Sequence, residues 1–336
     1  MANGILALLG SGETGPGMTK VHRGLFQRLG DVRAVNLNTP YGFQENVTQM
    51  SEKLVAYFDT SLQVTMTDLN MASVAAASDE ERQAYKQAVA AASFVFAGPG
   101  SPSYALNQWR PLELAQDLAT TLANGGVVCF SSAAALTLGA FTPPVYEIYK
   151  AGTGLAWLPG LDLMATLGLS CVVLPHYNNA EGGTYDTSRC YIGERRLQLL
   201  EAELPEGVSI LGIDEHTAAI IDLDARTLTV QGKGEVHWRS HGAVSDFAAG
   251  ATIALSELGA NAQVLDALTP VEVVTSAPRN AEDDEARQLR DEALVAALDE
   301  VRTLARSQGQ YDIADAIRNA LANFGVTVRD GAISKN

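Results

Sequence analysis

The sequence predicts an α/β domain built on a mostly parallel sheet with helices on both faces. Short apolar runs alternate with stretches of helical spacing through the first two hundred residues, the order that strand–helix–strand units produce. The runs are apolar at successive positions rather than at every second one, as strands covered on both faces are. Gly, Pro or Asn bounds each of them, so the chain can turn where a strand must end.

Strands are expected at 5–9, 32–37, 64–69, 93–97, 126–130 and 171–174. The first is Ile-Leu-Ala-Leu-Leu closed by Gly10. The fifth runs through Val127, Val128 and Cys129 to Phe130. Between them, 45–57, 80–92 and 112–123 space their apolar residues as one face of a helix. A β-rich section follows at 209–211, 218–221 and 228–230, and 244–258 reads as a further helix. The composition shifts near Thr275, and Ala277-Pro278-Arg279-Asn280 reads as a linker. The expected domains are therefore an α/β domain at 1–275 and a C-terminal helical appendage at 281–336. In the appendage, 282–307 has Leu294, Leu298, Val301 and Ala305 on one face, and Gln308-Gly309-Gln310 breaks it. A second helix carries Ile313, Ile317, Leu321 and Phe324, with Gly325 where a glycine ends a helix.

The 336 residues are 47% hydrophobic and 18% charged, a balance that sustains a core. Lys plus Arg number 23 against 39 Asp plus Glu, a formal charge of −16. That argues against nucleic acid and anionic membrane as partners, since both need basic surface. Cys129, Cys171 and Cys190 make no disulfide framework and suit a reducing compartment. Met1-Ala2-Asn3-Gly4 has no basic segment, and the apolar run after it is short for a signal sequence. No stretch approaches the roughly 20 apolar residues of a membrane helix. Together these features predict a cytoplasmic protein.

Gly10-Ser11-Gly12-Glu13-Thr14-Gly15 follows the first strand and fits a dinucleotide fingerprint. That fingerprint also wants a carboxylate at the end of the second strand to hold a ribose, and Asn36-Leu37-Asn38-Thr39-Pro40 has none. A glycine-rich turn at the carboxyl edge of the sheet is the preferred reading, and no cofactor is expected. The segment 125–136 runs from a strand through small residues into a helix, which a nucleophile elbow needs: the turn is tight, and the helix start offers N–H groups to an oxyanion. Ser132 would be its nucleophile, with Phe130 and Ala134 where glycines usually stand. A plain turn with Ser131 or Ser132 as helix cap fits the spacing equally well. His176 follows the strand at 171–174, and strand ends of such sheets converge on the ligand crevice. The turn Gly212-Ile213-Asp214-Glu215-His216-Thr217-Ala218 adds two carboxylates and a second histidine. His237 and His241 have the i, i+4 spacing of a helical metal site but lack its glutamate and sit in strand-like surroundings, so no metal is expected.

Taken together, residues 1–260 resemble the peptidase S51 family of cyanophycinases and α-aspartyl dipeptidases. Phe130-Ser131-Ser132-Ala133-Ala134-Ala135 is similar to the family's serine elbow, Phe96-Ala97-Gly98-Pro99-Gly100-Ser101 to its glycine-rich strand end, and 212–218 to its Gly-Ile-Asp-Glu-x-Thr-Ala motif. His176-Tyr177 followed by Arg189, Arg195 and Arg196 resembles the segment carrying the catalytic histidine and a substrate-binding arginine. The resemblance implies a class I glutamine amidotransferase-like fold and a serine hydrolase. Its catalytic residues would be Ser132, His176 and Glu215, with Glu147 as the alternative acid. Backbone of Gly98, Gly100 and Ala133 would hold the oxyanion, and Arg189 and Ser101 the substrate. Departures from the family pattern are Ala134 in the elbow, Leu174-Pro175 in place of an Asp-Gln pair, and Gly98-Pro99-Gly100-Ser101 in place of Gly-Gly-Asp-Gln.

The expected reaction is amide hydrolysis through an acyl-enzyme, on a small peptide or amide. Arg189 would favour an acidic or aspartyl-linked substrate over the arginine-bearing polymer. A catalytically silent binding module is the alternative, with Ala134 as its motive. A cysteine-dependent amidotransferase-like enzyme ranks last, because Cys129 lies three residues early. The segment from Ala305 to Asp330 resembles the C-terminal helical end of cysteinyl-tRNA synthetases. The ATP signatures of those enzymes are absent, so the tail is read as a packing or association device, with a homodimer as the assembly considered.

Overall fold

The computed structural model describes residues 4–267, 301–305, 307, 313–314, 317–318, 326–329 and 332–335. The chain divides into two compact units, Met1–Glu272 and Val273–Asn336.

In the first unit, β1 (Ile5–Leu9) leads through α1 (Pro16–Phe26) to β2 (Ala34–Leu37), then through α2 (Val47–Tyr57) to β3 (Met66–Leu69). Next come α3 (Asp79–Ala91), β4 (Phe94–Ala97), α4 (Pro102–Trp109), α5 (Leu114–Ala123) and β5 (Val127–Ser131). Short elements follow: α6 (Ala133–Leu136), β6 (Phe141–Thr142), α7 (Val145–Tyr149), β7 (Leu158–Pro159) and α8 (Leu163–Thr166). After them stand β8 (Cys171–Leu174), α9 (Glu194–Glu201), β9 (Ser209–Ile213) and β10 (Thr217–Asp222). The unit closes with β11 (Thr227–Gly232), β12 (Glu235–Ser240), β13 (Ala243–Ala248), β14 (Thr252–Ala254) and α10 (Ala262–Ala267).

The main sheet has eight strands in the order β3-β2-β4-β5-β1-β10-β11-β14. Strands β3 to β1 are parallel, and β10, β11 and β14 add antiparallel. The fold is thus α/β with a large, mostly parallel sheet. The uniform hydrophobicity of β1 has its reason here. Leu6 and Leu8 enter one core layer with Val128, Phe130 and Trp109, while Ile5, Ala7 and Leu9 enter the other with Met18, Phe58 and Phe94.

Two expectations are corrected. Strand β8 does not join the main sheet: β10 takes the free side of β1, in the register Leu9↔Ala218, and β8 instead pairs with β9 in a four-stranded sheet, β8-β9-β12-β13. The helix expected at 244–258 is β13, β14 and a single 3₁₀ turn, Leu255–Leu258. Its three- and four-residue apolar spacing is overridden by hairpin pairing with β12, and Gly250, at φ 94°, turns the chain where a helix would have to continue.

In the second unit, residues 301–305, 307, 313–314 and 317–318 are helical. The appendage is not wholly helical, however: β15 (Val326–Arg329) and β16 (Ala332–Lys335) pair antiparallel, Val326 opposite Lys335. The β-branched run Val-Thr-Val suits a strand. The expected linker at 277–280, Leu294, Leu298, the break at 308–310, Leu321, Phe324 and Gly325 lie outside the described residues. Among the described residues, no helix is long and apolar enough to cross a membrane.

Candidate active site

Strand β5 ends at Ser131, and the next residue carries the change of direction. Ser132 has φ 52° and ψ −123°, and α6 begins at Ala133. A left-handed backbone on a residue with a side chain costs about 1–3 kcal/mol, so the surroundings must impose it. They do so through β5, buried along its whole length, and through the Ser132 N–H, which donates to the Leu9 carbonyl of β1 at 3.1 Å. The elbow forms without flanking glycines because the strain is confined to Ser132. Phe130 points into the core against Trp109, centroids 5.7 Å apart, and buried Ala134 donates its N–H to Gly98 O at 3.3 Å.

His176 follows β8 and Pro175, also in the left-handed region at φ 51°. Its backbone N–H donates to Gly10 O at 3.3 Å, so the end of β1 ties the second sheet to the first. Glu215 stands in the turn between β9 and β10. That turn lies against the first glycine loop: a Cβ on Gly10 would meet Asp214 O at 1.9 Å, and one on Gly12 would meet His216 Nδ1 at 2.3 Å. Those glycines serve the close approach of two turns.

The three turns bring Ser132, His176 and Glu215 together. Ser132 Oγ lies 2.8 Å from His176 Nε2, and His176 Nδ1 lies 2.9 Å from Glu215 Oε1. An ionised glutamate only accepts, so Nδ1 carries the proton and Nε2 is left to accept from the Ser132 hydroxyl. The His176 and Glu215 side chains keep 15% and 26% of their exposure, sheltered yet reachable. Partial burial alone would raise the Glu215 pKa. The hydrogen bonds from His176 and Asn179, with the charges of His176 and His216, outweigh it and hold the carboxyl below its ordinary range.

Sequence reasoning missed the groups that orient this acid. Asn179 Nδ2 donates to Glu215 Oε1 at 3.0 Å, and the Glu215 N–H donates to Asn178 Oδ1 at 2.8 Å. Their signal was their place, directly after the His176-Tyr177 pair. Tyr191 was missed as well; its ring lies 5.8 Å from that of His176. His216 is a neighbour whose N–H donates to Ser11 Oγ at 3.2 Å.

Ser131 is fully buried and donates to Glu13 Oε2 at 2.9 Å, so its hydroxyl faces away from His176. Glu13 is held in turn by buried His22, whose Nε2 lies 2.8 Å from Glu13 O. Burial lowers the His22 pKa from 6.5 to about 4, against the smaller opposing effect of that hydrogen bond. The unfolded chain therefore binds the proton more readily than the folded one. Stability from this group is full above pH 6.5 and falls as the pH drops toward 4, by about 3 kcal/mol. Denaturant midpoints of the wild type and His22→Gln, compared above pH 6.5 and near pH 4, are expected to show a shallower acid loss in the variant.

The remaining expected site residues fall as follows. Gly98 directly follows β4, beside the elbow, where its carbonyl accepts from the Ala134 N–H. Gly100, at φ 145°, packs so closely that a Cβ would meet Pro40 O at 2.0 Å. Ser101 caps α4, its Oγ accepting from the Tyr104 N–H at 3.2 Å. Glu147 lies on α7, and its buried Oε2 has no hydrogen-bond partner among the described residues; the ring nitrogen it would need is taken by Glu215. Cys129 is buried inside β5, where desolvation pushes its thiol far up, so it cannot serve as a nucleophile.

Arg189 is engaged in part within the chain: Nε donates to Glu194 Oε2 at 2.8 Å, Nη1 donates to Tyr177 O at 3.0 Å, and the guanidinium stacks 4.0 Å from the centre of the Tyr177 ring. The backbone N–H groups of Arg189 and Cys190 donate to Tyr177 O and His176 O at 2.8 and 3.1 Å. The segment clasps the turn that carries His176. The His237–His241 pair also dissolves: His241, at φ 48°, lies in the turn beyond β12.

The fold and this constellation define the class: an α/β protein with serine, histidine and glutamate meeting where three strands end. No family model matches the chain, and no curated protein matches it. A solved peptidase from an acI-B1 Actinobacterium shares the fold, with a TM-score of 0.60 and 21% identity over 75% of this chain and 97% of that one. A candidate peptidase E from Listeria monocytogenes EGD-e aligns at a TM-score of 0.46 and 17% identity, over 69% of this chain and 99% of its own, too distant to carry argument.

Proposed function

We propose that the protein is a serine-type peptidase or amidase, similar to peptidase S51, that works through an acyl-enzyme on Ser132. The observation that carries this reading is the hydrogen-bonded line from Ser132 Oγ through the His176 ring to Glu215, on a nucleophile held in a strained turn. A serine hydroxyl at its free pKa is a poor nucleophile and needs a base within reach and a third group that orients the base. His176 takes the Ser132 proton as Oγ attacks the carbonyl, and then returns it to the leaving amine. Glu215 stabilises the imidazolium that forms between those steps. Water, activated by the same histidine, releases the acid.

In this reading the Ala133 N–H and the backbone N–H of Gly98 or Gly100 receive the oxyanion. The Ala134 N–H is already given to Gly98 O. Each donor contributes about 2.7–4 kcal/mol to the transition state. The reading extends to a small peptide or amide, with an acidic or aspartyl-linked one as the finer proposal: Arg189, held by Glu194 through Nε, has its remaining guanidinium donors to offer a carboxylate. A fluorophosphonate probe is expected to label the protein once, and peptide mass spectrometry to place the label on Ser132. A protein that stays unlabelled at high probe concentration is a binding module.

A further inference from the structure

We propose that Glu235, His237 and Asp246 form a binding site for a divalent transition-metal ion, Zn²⁺ in the first place, on the β12–β13 hairpin. Side chains two apart on a strand share a face, which brings Glu235 beside His237. The antiparallel register sets Asp246 directly opposite His237. The three potential ligand atoms lie within 4.8 Å of one another. Ligands about 2.0–2.2 Å from a tetrahedral zinc ion stand roughly 3.5 Å apart, so small side-chain rotations close the set.

The imidazole is oriented for this task. Its Nε2 lies 3.1 Å from Oδ1 of Asp214, whose side chain is only 8% exposed. Asp214 is itself fixed, its Oδ2 accepting from the Glu235 N–H at 2.9 Å. The ring stacks on Tyr177, centroids 4.5 Å apart at 27°. A metal-binding histidine typically gives its second ring N–H to a carboxylate in this way, which fixes the tautomer and strengthens the other nitrogen as a ligand. Here that other nitrogen is Nδ1, 2.7 Å from Asp246 Oδ1. Asp246, at 55% exposure, leaves the outer side open to the water that completes the coordination.

Charge points the same way. Asp214, Glu235 and Asp246 surround one imidazole, so even a protonated ring leaves two negative charges uncompensated within the group, and a divalent cation neutralises them. An imidazole nitrogen with two carboxylates suits zinc and its neighbours rather than magnesium or calcium, which want oxygen alone. The buried cysteines offer no competing thiolate. No bond other than coordination forms: the ion takes the place of the proton between Nδ1 and Asp246, and that proton goes to solvent.

Calorimetric titration of Zn²⁺ into the chelator-treated full chain tests this, in two buffers of different ionisation enthalpy. One ion per chain is expected, with proton release. Asp246→Asn and His237→Gln are each expected to weaken binding at least tenfold, and His241→Gln to leave it unchanged. Co²⁺, as a spectroscopic probe, is expected to show the visible absorption of a nitrogen–oxygen site in the wild type and to lose it in Asp246→Asn. Should His237→Gln fail to fold, Asp246→Asn and Glu235→Gln decide, since they change one carboxylate oxygen each. No stoichiometric binding, or equal binding by the wild type and Asp246→Asn, overturns the proposal. The outcome is independent of whether Ser132 is a nucleophile.

Discussion

Ser132→Ala is expected to abolish labelling by a fluorophosphonate and to reduce amide hydrolysis by about 10⁶-fold, the scale of loss when the nucleophile of a triad is removed. Its thermal midpoint is expected to stay near that of the wild type. Alanine keeps the same Cβ in the same left-handed turn at φ 52°, so the backbone penalty neither rises nor falls. Ser132→Gly separates the two roles of the position. It removes the hydroxyl and also relieves the turn, so it is expected to be inactive and more stable by about 1 kcal/mol. Ser131→Ala is expected to do the reverse. It keeps the nucleophile but strips Glu13 Oε2 of its buried partner, at a cost of about 1–3 kcal/mol. Labelling that survives Ser132→Ala and disappears in Ser131→Ala would transfer the nucleophile to its neighbour.

Ser132 and His176 were legible from position, each two residues past an apolar run expected to be a strand, a pattern that survives without any knowledge of the partner strands. Glu215 was legible only through the resemblance of 212–218 to the Gly-Ile-Asp-Glu-x-Thr-Ala motif, since the run expected at 209–211 ends four residues before it. The sheet to which each strand belongs was not legible. Ile-Leu-Ala-Leu-Leu at β1 pairs equally well with β8 or β10, and only the antiparallel register of β10 against β1 decides. The 244–258 segment misled because small residues such as Ala248 and Ala251 satisfy helical and extended spacing alike, while the hairpin contacts with β12 are remote in sequence. For Arg189, a motif fixes that an arginine is present, but only the fold shows that Glu194, five residues on, takes its Nε. Asn178 and Asn179 passed unnoticed because an amide beside a histidine has no periodicity to betray it; only the fold of the 212–218 turn puts Glu215 between them.

Glu215→Gln is the second substitution expected to have a large effect. The amide can still accept from His176 Nδ1 and Asn179 Nδ2 through its oxygen, so the site should assemble. What is lost is the negative charge. During turnover His176 becomes an imidazolium, and in the wild type the glutamate 2.9 Å away stabilises it as it forms. Without that charge the loss in kcat is expected to reach about 10⁴-fold, the size found when the acid of such a triad becomes an amide. Glu147→Gln is expected to leave kcat within a few-fold of the wild type; the opposite ranking would reverse the assignment of the acid. The same variant has a signature independent of turnover. The folded-state pKa of Glu215 lies below the ordinary glutamate value of 4.5, so its ionised form stabilises the fold above that pH, and the benefit is lost as pH falls through the lower folded-state value. Urea midpoints are therefore expected to favour the wild type over Glu215→Gln at neutral pH and to converge in acid well below 4.5. A gap that stays constant with pH would mean that the carboxylate has no favourable partner in the folded state, and the imidazole would then lack the group that orients it.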